Sequence, residues 1–133
     1  MTLDKVKFGL EKKEIRTIQN ILAYYPTVLK VMVFGSRAKG NYRNKSDLDL
    51  VIVGSGQDKV SSISGDIGES DFLYSVDVIG YDSTNDNILL KSEIDKYGVE
   101  FWLRNEKLID QTIFLNSKKD PFWERWKINI LKN

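Results

Sequence analysis

The sequence predicts an α/β fold of the α+β type, with a mixed central sheet of about four strands and helices packed against it. Apolar runs at residues 28–34 and Leu48–Val53 predict two strands, the first buried on both sides. Alternating patterns at residues 74–81 and Val99–Leu103 predict two more. Helical patterns separate these runs, and strands that alternate with helices are typical of layered α/β domains.

The predicted helices follow from apolar spacing and from residues that begin or end a helix. In residues 11–25, apolar side chains recur at spacings of three and four, and Pro26 closes the helix. Residues 57–70 are poorly patterned and predict a loop or a weak helix. A helix capped by Ser83 or Thr84 is expected to run to about residue 97, before Gly98.

The last part of the sequence predicts a helical extension over about residues 105–133. One helix is expected over residues 106–115, and another is expected to begin at Asp120. Aromatic and apolar residues recur in that last helix near helical spacing: Phe122, Trp123, Trp126 and Ile130. Two interpretations remain open, because this face can pack on the protein's own core or against a partner.

Length and composition indicate one packed domain over residues 1–133, with its core at about residues 11–103. The chain has 133 residues, of which 41% are hydrophobic and 11% aromatic. No apolar run reaches the roughly 18 residues that span a bilayer, and the first residues lack the apolar core of a signal peptide. We therefore expect a cytoplasmic protein without a membrane partner.

The absence of two residue types narrows the chemistry. The sequence contains no Cys and no His, which excludes thiolate and imidazole catalysis and the metal sites built from those residues. A metal must then be held mainly by oxygen, which favours magnesium, manganese or calcium. The net charge of +1, from 20 basic and 19 acidic residues, disfavours a dedicated nucleic-acid binder.

Two carboxylates at the start of a predicted strand are the main candidates for metal ligands. Asp47 and Asp49 are two residues apart, so their side chains project to the same side. Two aspartates that point together repel each other unless a cation lies between them. Asp77, in the middle of the next predicted strand, completes a set of three if the strands are adjacent. It is then placed to ligate metal and to take the proton of an attacking hydroxyl.

A glycine–serine turn precedes this pair by ten residues. Gly35 lets the chain pass close to a phosphate, and Ser36 offers a hydroxyl and a backbone donor. Four cations follow within nine positions and suit the neutralisation of phosphates. They are Arg37, Lys39, Arg43 and Lys45.

These segments resemble the minimal nucleotidyltransferases of the DNA polymerase beta superfamily. The likeness rests on residues 35–40 (GSRAKG), 46–50 (SDLDL) and 76–78 (VDV). It implies the polymerase-beta-like fold and a transfer of a nucleoside monophosphate from a triphosphate, preferably ATP, to a hydroxyl with release of pyrophosphate. It also implies two Mg²⁺ ions, with Mn²⁺ as a possible substitute.

The resemblance also implies roles for the individual residues. Gly35 and Ser36 hold the triphosphate, Asp47 and Asp49 bind both metals, and Asp77 binds one metal and helps to activate the acceptor. Arg37, Lys39 and Arg43 are expected to contribute to nucleotide binding.

The short form of this family resembles one half of a two-gene module. Its partner is a separate helical-bundle protein, either a substrate-binding subunit or a toxin of the HEPN type. In toxin–antitoxin pairs the transferase resembles an antitoxin that modifies a tyrosine of its partner with AMP. Three alternatives stay open: a transferase for small molecules such as antibiotics, an antitoxin that acts by contact alone, and a transferase that modifies nucleic acid.

Overall fold

The computed structural model describes residues 5–104, and the elements below lie in that range. Six strands alternate with four helices along this part of the chain. The strands are β1 (Lys5–Lys7), β2 (Leu10–Glu11), β3 (Lys30–Phe34), β4 (Leu48–Val53), β5 (Val76–Gly80) and β6 (Val99–Leu103). The helices are α1 (Lys12–Ala23), α2 (Gly35–Lys39), α3 (Val60–Gly68) and α4 (Ile88–Tyr97). No helix in this part of the chain is long and apolar enough to cross a membrane.

The central sheet has four strands in the order β5-β4-β3-β6. Strand β3 is antiparallel to both of its neighbours, β4 and β6, whereas β4 and β5 are parallel. The predicted mixed sheet and its four strands are therefore confirmed. The parallel pair matters for function because it aligns the starts of β4 and β5 at one end of the sheet.

The two faces of this sheet are covered differently. Leu48, Leu50 and Ile52 point to the face that is covered by α1 and α3, which we call the closed face. This face holds a large apolar cluster, whose buried members include Ile18 of α1 and Ile63 of α3. The opposite face, which we call the α4 face, has a smaller buried cluster: Phe34, Val51 and Ile94.

Helix α1 forms where the apolar spacing predicts it. Its first turn is closed by a reciprocal pair, in which the backbone N–H of Glu11 donates to Glu14 Oε1 at 2.8 Å. Ile18 and Leu22 are fully buried on the closed face. The helix ends at Ala23, slightly before Pro26.

The start of α4 corrects the sequence-based prediction. Ser83 and Thr84 do not cap this helix, because they lie in a preceding 3₁₀ turn and donate their hydroxyls to nearby carbonyl oxygens. The cap is Asn87, whose side chain accepts a hydrogen bond from the Leu90 N–H at 3.1 Å. Gly98 follows the helix as predicted.

Two further segments differ from, or sharpen, the prediction. Residues 57–70 form a short 3₁₀ turn and the helix α3, which buries Ile63 and Ile67. The small hairpin of β1 and β2 was not predicted, because its strands have only three and two residues. The helices expected over residues 106–115 and from Asp120, with their aromatic face, lie outside the described residues.

Candidate active site

The third aspartate stands beside the second in the sheet. Asp49 of β4 and Asp77 of β5 are partners in the parallel register. Partner residues on neighbouring strands project from the same face, with the strands about 5 Å apart. That face is the α4 face, because the neighbouring residues Leu48 and Leu50 point to the closed face. The register thus places Asp49 and Asp77, which are 28 residues apart in sequence, side by side on the α4 face.

The pKa of Asp49 shows that the three carboxylates share one electrostatic environment. Partial burial raises the pKa of Asp49 from 3.8 to about 6, and the charges of Asp77, Asp47 and Glu93 add to this rise. Asp47 and Asp77 themselves are exposed, whereas Asp49 is half-buried. The site therefore concentrates negative charge around one partly desolvated carboxylate.

Gly35 approaches the same carboxylate from β3. Its φ of +72° lies in the left-handed region, and a Cβ at this position would stand 2.3 Å from Asp49 Oδ2. The approach follows from the sheet, since Phe34 is the register partner of Asp49. The glycine–serine turn and the aspartate pair are therefore in direct contact, and only glycine satisfies both the backbone angle and the space.

Arg37 lies inside the protein and does not point to the predicted phosphate site. It is 2% exposed, and its guanidinium donates to the carbonyl oxygens of Ser46, Phe8 and Asn44 at 3.0, 2.9 and 3.2 Å. Its guanidinium carbon also lies 4.7 Å from the centroid of the Tyr74 ring. The prediction of a nucleotide contact is corrected: these bonds use Arg37 to hold the loop between α2 and β4.

The other predicted cations lie at the surface. Lys39 ends α2, and its Nζ is 2.6 Å from Glu93 Oε1 of α4. Arg43 is exposed, and its backbone N–H donates to Ser46 Oγ at 2.7 Å, which fixes the turn before Asp47. Glu93 is a charged neighbour of the site that the sequence patterns did not indicate, because an acidic residue on a partly exposed helix carries no signal of its own.

The donor set of this site fits a hard divalent cation. Carboxylate oxygens are the preferred ligands of such ions, and a cation would offset the negative charges that, after burial, add to the raised pKa of Asp49. Within residues 5–104, no three acidic side chains already stand in a complete ligand arrangement. The sheet register places Asp77 beside Asp49, and Asp47 and Asp77 are both exposed.

Comparison with solved structures gives relatives of the same fold. A toxin–antitoxin complex with AMP-PNP matches with a TM-score of 0.55 at 16% identity, over 79% of this chain and 91% of that chain. A mutant of the toxin–antitoxin MntA–HpeT matches with a TM-score of 0.53 at 14% identity and the same coverage. No curated protein sequence matched the chain.

Comparison with family models identifies the family. The model described as polymerase beta nucleotidyltransferase matches residues 16–107, which contain the glycine–serine turn, the aspartate pair and Asp77. Enzymes of this kind generally use divalent metals. Together with the four-stranded mixed sheet, this match shows that the chain belongs to the polymerase beta nucleotidyltransferase family and is a nucleotidyltransferase.

Proposed function

We propose that this protein transfers AMP from ATP to a hydroxyl group on a partner protein, as the antitoxin-like half of a two-gene module. The observation that carries the proposal is the contact of Gly35 with Asp49, opposite Asp77. It joins the two halves of a triphosphate-binding and metal-binding motif at one end of the sheet. The AMP-PNP in a related toxin–antitoxin complex supports an adenine nucleotide and a protein partner.

In this proposal each residue of the motif has a role. Gly35 and Ser36 bind the triphosphate, while Asp47, Asp49 and Asp77 hold the divalent cations, for which we propose two Mg²⁺ ions. When bound, these ions neutralise the phosphates and the charge that develops during transfer.

Asp77 is the proposed general base. Its exposed position on an edge strand leaves its carboxylate accessible to an incoming acceptor. The acceptor oxygen forms a bond to the α-phosphorus while the bond from that phosphorus to the bridging oxygen breaks. Pyrophosphate leaves, and the hydroxyl proton moves to a carboxylate oxygen of Asp77.

The kind of partner is proposed from the same relatives. Both solved complexes are toxin–antitoxin pairs, which supports a toxin as the acceptor-bearing protein. We propose a helical bundle of the HEPN type, with a tyrosine as the modified residue. A small-molecule acceptor and an antitoxin that acts by contact alone are the alternatives that the experiment separates.

The test is a transfer assay with ATP labelled at the α-phosphate, Mg²⁺ and the protein encoded beside this one. We expect label on the partner, and at least a ~100-fold loss of transfer in Asp49→Asn. The control is Asp58→Asn, an exposed acid beyond the other end of β4. Circular dichroism and thermal melting should show that both variants remain folded.

The possible results separate the alternatives. Undiminished transfer by Asp49→Asn would show that the site assignment is wrong. Turnover on purified metabolites without a second protein would establish a small-molecule transferase instead. If no label is transferred and an Asp47→Ala, Asp49→Ala double variant still neutralises the partner, the protein acts by contact alone.

A further inference from the structure

A lysine–glutamate pair joins the end of α2 to α4 next to the three aspartates. Lys39 Nζ lies 2.6 Å from Glu93 Oε1, and both side chains are about one-third exposed, at 32% and 34%. The ammonium also stands 5.6 Å from the centroid of the Tyr97 ring. Lys39 is therefore held by two groups of α4 and remains partly exposed.

The position of this pair relates it to the phosphate-binding turn. Helix α2 has five residues, so Lys39 lies one helical turn after Gly35 and Ser36. Glu93 is close enough to Asp49 for its charge to raise the pKa of that carboxyl. The Lys39–Glu93 pair thus joins the helix that begins at the phosphate-binding turn to a residue whose charge acts on Asp49.

We propose that Glu93 is a positioning residue for nucleotide binding, which holds the Lys39 ammonium beside Gly35 and Ser36 so that it can bind a phosphate oxygen. This inference rests on the proposed function and adds a residue that the family motif does not contain. A lysine ammonium has three N–H donors. With one donor on Glu93, two remain for the triphosphate.

The lysine side chain is flexible, and fixing it before the nucleotide binds has an effect on affinity. An unanchored lysine at the end of a short surface helix samples many rotamers, and most of them point into solvent. The 2.6 Å bond to Glu93 removes most of this freedom before the nucleotide arrives. Pre-ordering of this kind improves affinity mainly by lowering the entropy cost of binding.

Glu93 can affect nucleotide affinity in two opposite ways, and measuring the affinity separates them. The Glu93 carboxylate is itself negative and would repel a triphosphate if it acted alone. If repulsion dominates, removing the charge of Glu93 will strengthen nucleotide binding. If positioning dominates, the same change will weaken binding, and it will do so only while Lys39 is present.

The test compares the wild type with four variants: Glu93→Gln, Lys39→Met, the double variant, and the control Asp95→Asn. Asp95 is a matched control because it also lies on α4, where it accepts a hydrogen bond from the Tyr81 hydroxyl at 2.5 Å and does not contact Lys39. For each protein, KM for ATP and kcat are measured in the transfer assay. The Kd for AMP-PNP is measured by calorimetry without turnover.

We expect Glu93→Gln to raise both KM and Kd about fivefold, the size of a well-formed partly exposed ion pair, with kcat within twofold of the wild type. In the Lys39→Met background, Glu93→Gln should leave Kd unchanged or lower it, because positioning requires Lys39 and only the repulsion by Glu93 remains. Asp95→Asn should stay within twofold of the wild type. The change in KM without kcat, and its dependence on Lys39, distinguish positioning from a general loss of structure.

Three results would overturn the inference. The first is an unchanged or lower Kd in Glu93→Gln, and the second is an equal rise of Kd with and without Lys39. In both cases the proposed function stands if the wild type transfers AMP. The third is a wild-type protein that binds no AMP-PNP, which would contradict the proposed function as well.

Discussion

The closed face and the α4 face of the sheet are built from the same strands but are stabilised by different interactions. On the closed face, α1 and α3 bury a continuous apolar cluster that includes Leu50, Ile52 and Ile63. On the α4 face, the buried apolar cluster has three residues, and the strand ends carry carboxylates. A side chain on one face therefore contributes mainly to stability, and one on the other mainly to the charge of the site.

Because the two faces differ in this way, strand β4 can contribute both to the apolar core and to the charged site. Its residues alternate between the faces, so Leu48 and Leu50 are fully buried while Asp49 between them stays half-buried beside other acids. Burial of the two leucines stabilises the strand on the closed face. The closed face thus allows an unfavourable arrangement of charges to persist on the other side.

The largest effect is expected from Gly35→Ala, which changes the α4 face alone. The new Cβ would overlap Asp49 Oδ2 at 2.3 Å and would strain a backbone at φ +72°. We expect a shift of Asp49 and a loss of transfer activity of at least ~100-fold, because displacement of about 1 Å in a catalytic site has that effect. The activity and the melting temperature are to be measured together.

Gly40→Ala provides the matched control for that variant. Gly40 has φ +87°, but nothing lies within 4 Å of the point that a Cβ would occupy there. It should lose only about 1 kcal/mol of stability through backbone strain and keep its activity per folded molecule. Equal activity losses in the two variants would show that backbone strain, and not the contact with Asp49, is what matters.

A second prediction concerns two cations of α2 that point to different sides. Arg37→Met should lower the free energy of unfolding by about 2–4 kcal/mol, because it removes three hydrogen bonds that a buried guanidinium makes to partly buried carbonyl oxygens. Lys39→Met should lower it by no more than about 1 kcal/mol, since its ion pair is at the surface. Urea unfolding of both variants tests this. Equal free energies of unfolding for the two variants would contradict the different roles assigned to the buried Arg37 and the surface Lys39.

The smallest effect concerns pH and Asp49. Because its folded-state pKa of about 6 exceeds the ordinary 3.8, the folded protein binds this proton more tightly than the unfolded chain does. The resulting stability is complete below about pH 4 and is lost as the pH rises through about 6. Metal-free Asp49→Asn should therefore exceed the wild type in stability at pH 7.5, by on the order of 1 kcal/mol after solvent screening.

Thermal melts at pH 4 and pH 7.5 check this prediction. The advantage of Asp49→Asn should be smallest at pH 4, and Mg²⁺ should reduce it at pH 7.5 by offsetting the negative charges of the wild type. An advantage of the same size at both pH values would contradict a raised pKa as its cause.

The parts of the fold that could be predicted from sequence are those with a strong apolar pattern. The bounds of β4 agree with the prediction residue for residue, because its apolar run is sharply delimited by Asp47 and Gly54. The start of α4 could not be placed, since Ser83, Thr84 and Asn87 are all good caps and only tertiary packing selects among them. The hairpin of β1 and β2 was too short to give any pattern.

The candidate site likewise contains residues whose positions could be predicted from the sequence and residues whose positions could not. Asp77 could be named as the third carboxylate from the strand pattern, on the condition that the two strands are adjacent, and the parallel register of β4 and β5 meets that condition. The buried position of Arg37 could not be predicted, since its hydrogen-bond partners are backbone carbonyl oxygens, which every residue has. Glu93 was missed because its partner Lys39 is 54 residues away in sequence, and no local pattern records such a pair.

The bonds of Arg37 have a consequence for the ten residues that separate Ser36 from Asp47. A linker of this length is ordinarily free to lengthen, since added residues cost little entropy. Here Arg37, the first residue of the linker, donates hydrogen bonds to the carbonyl oxygens of Asn44 and Ser46 near the end of the linker. The sheet sets the distance between the two halves of the motif, and Arg37 constrains the course of the loop between them. An insertion in this loop would break the bonds of Arg37 instead of being absorbed into a longer loop.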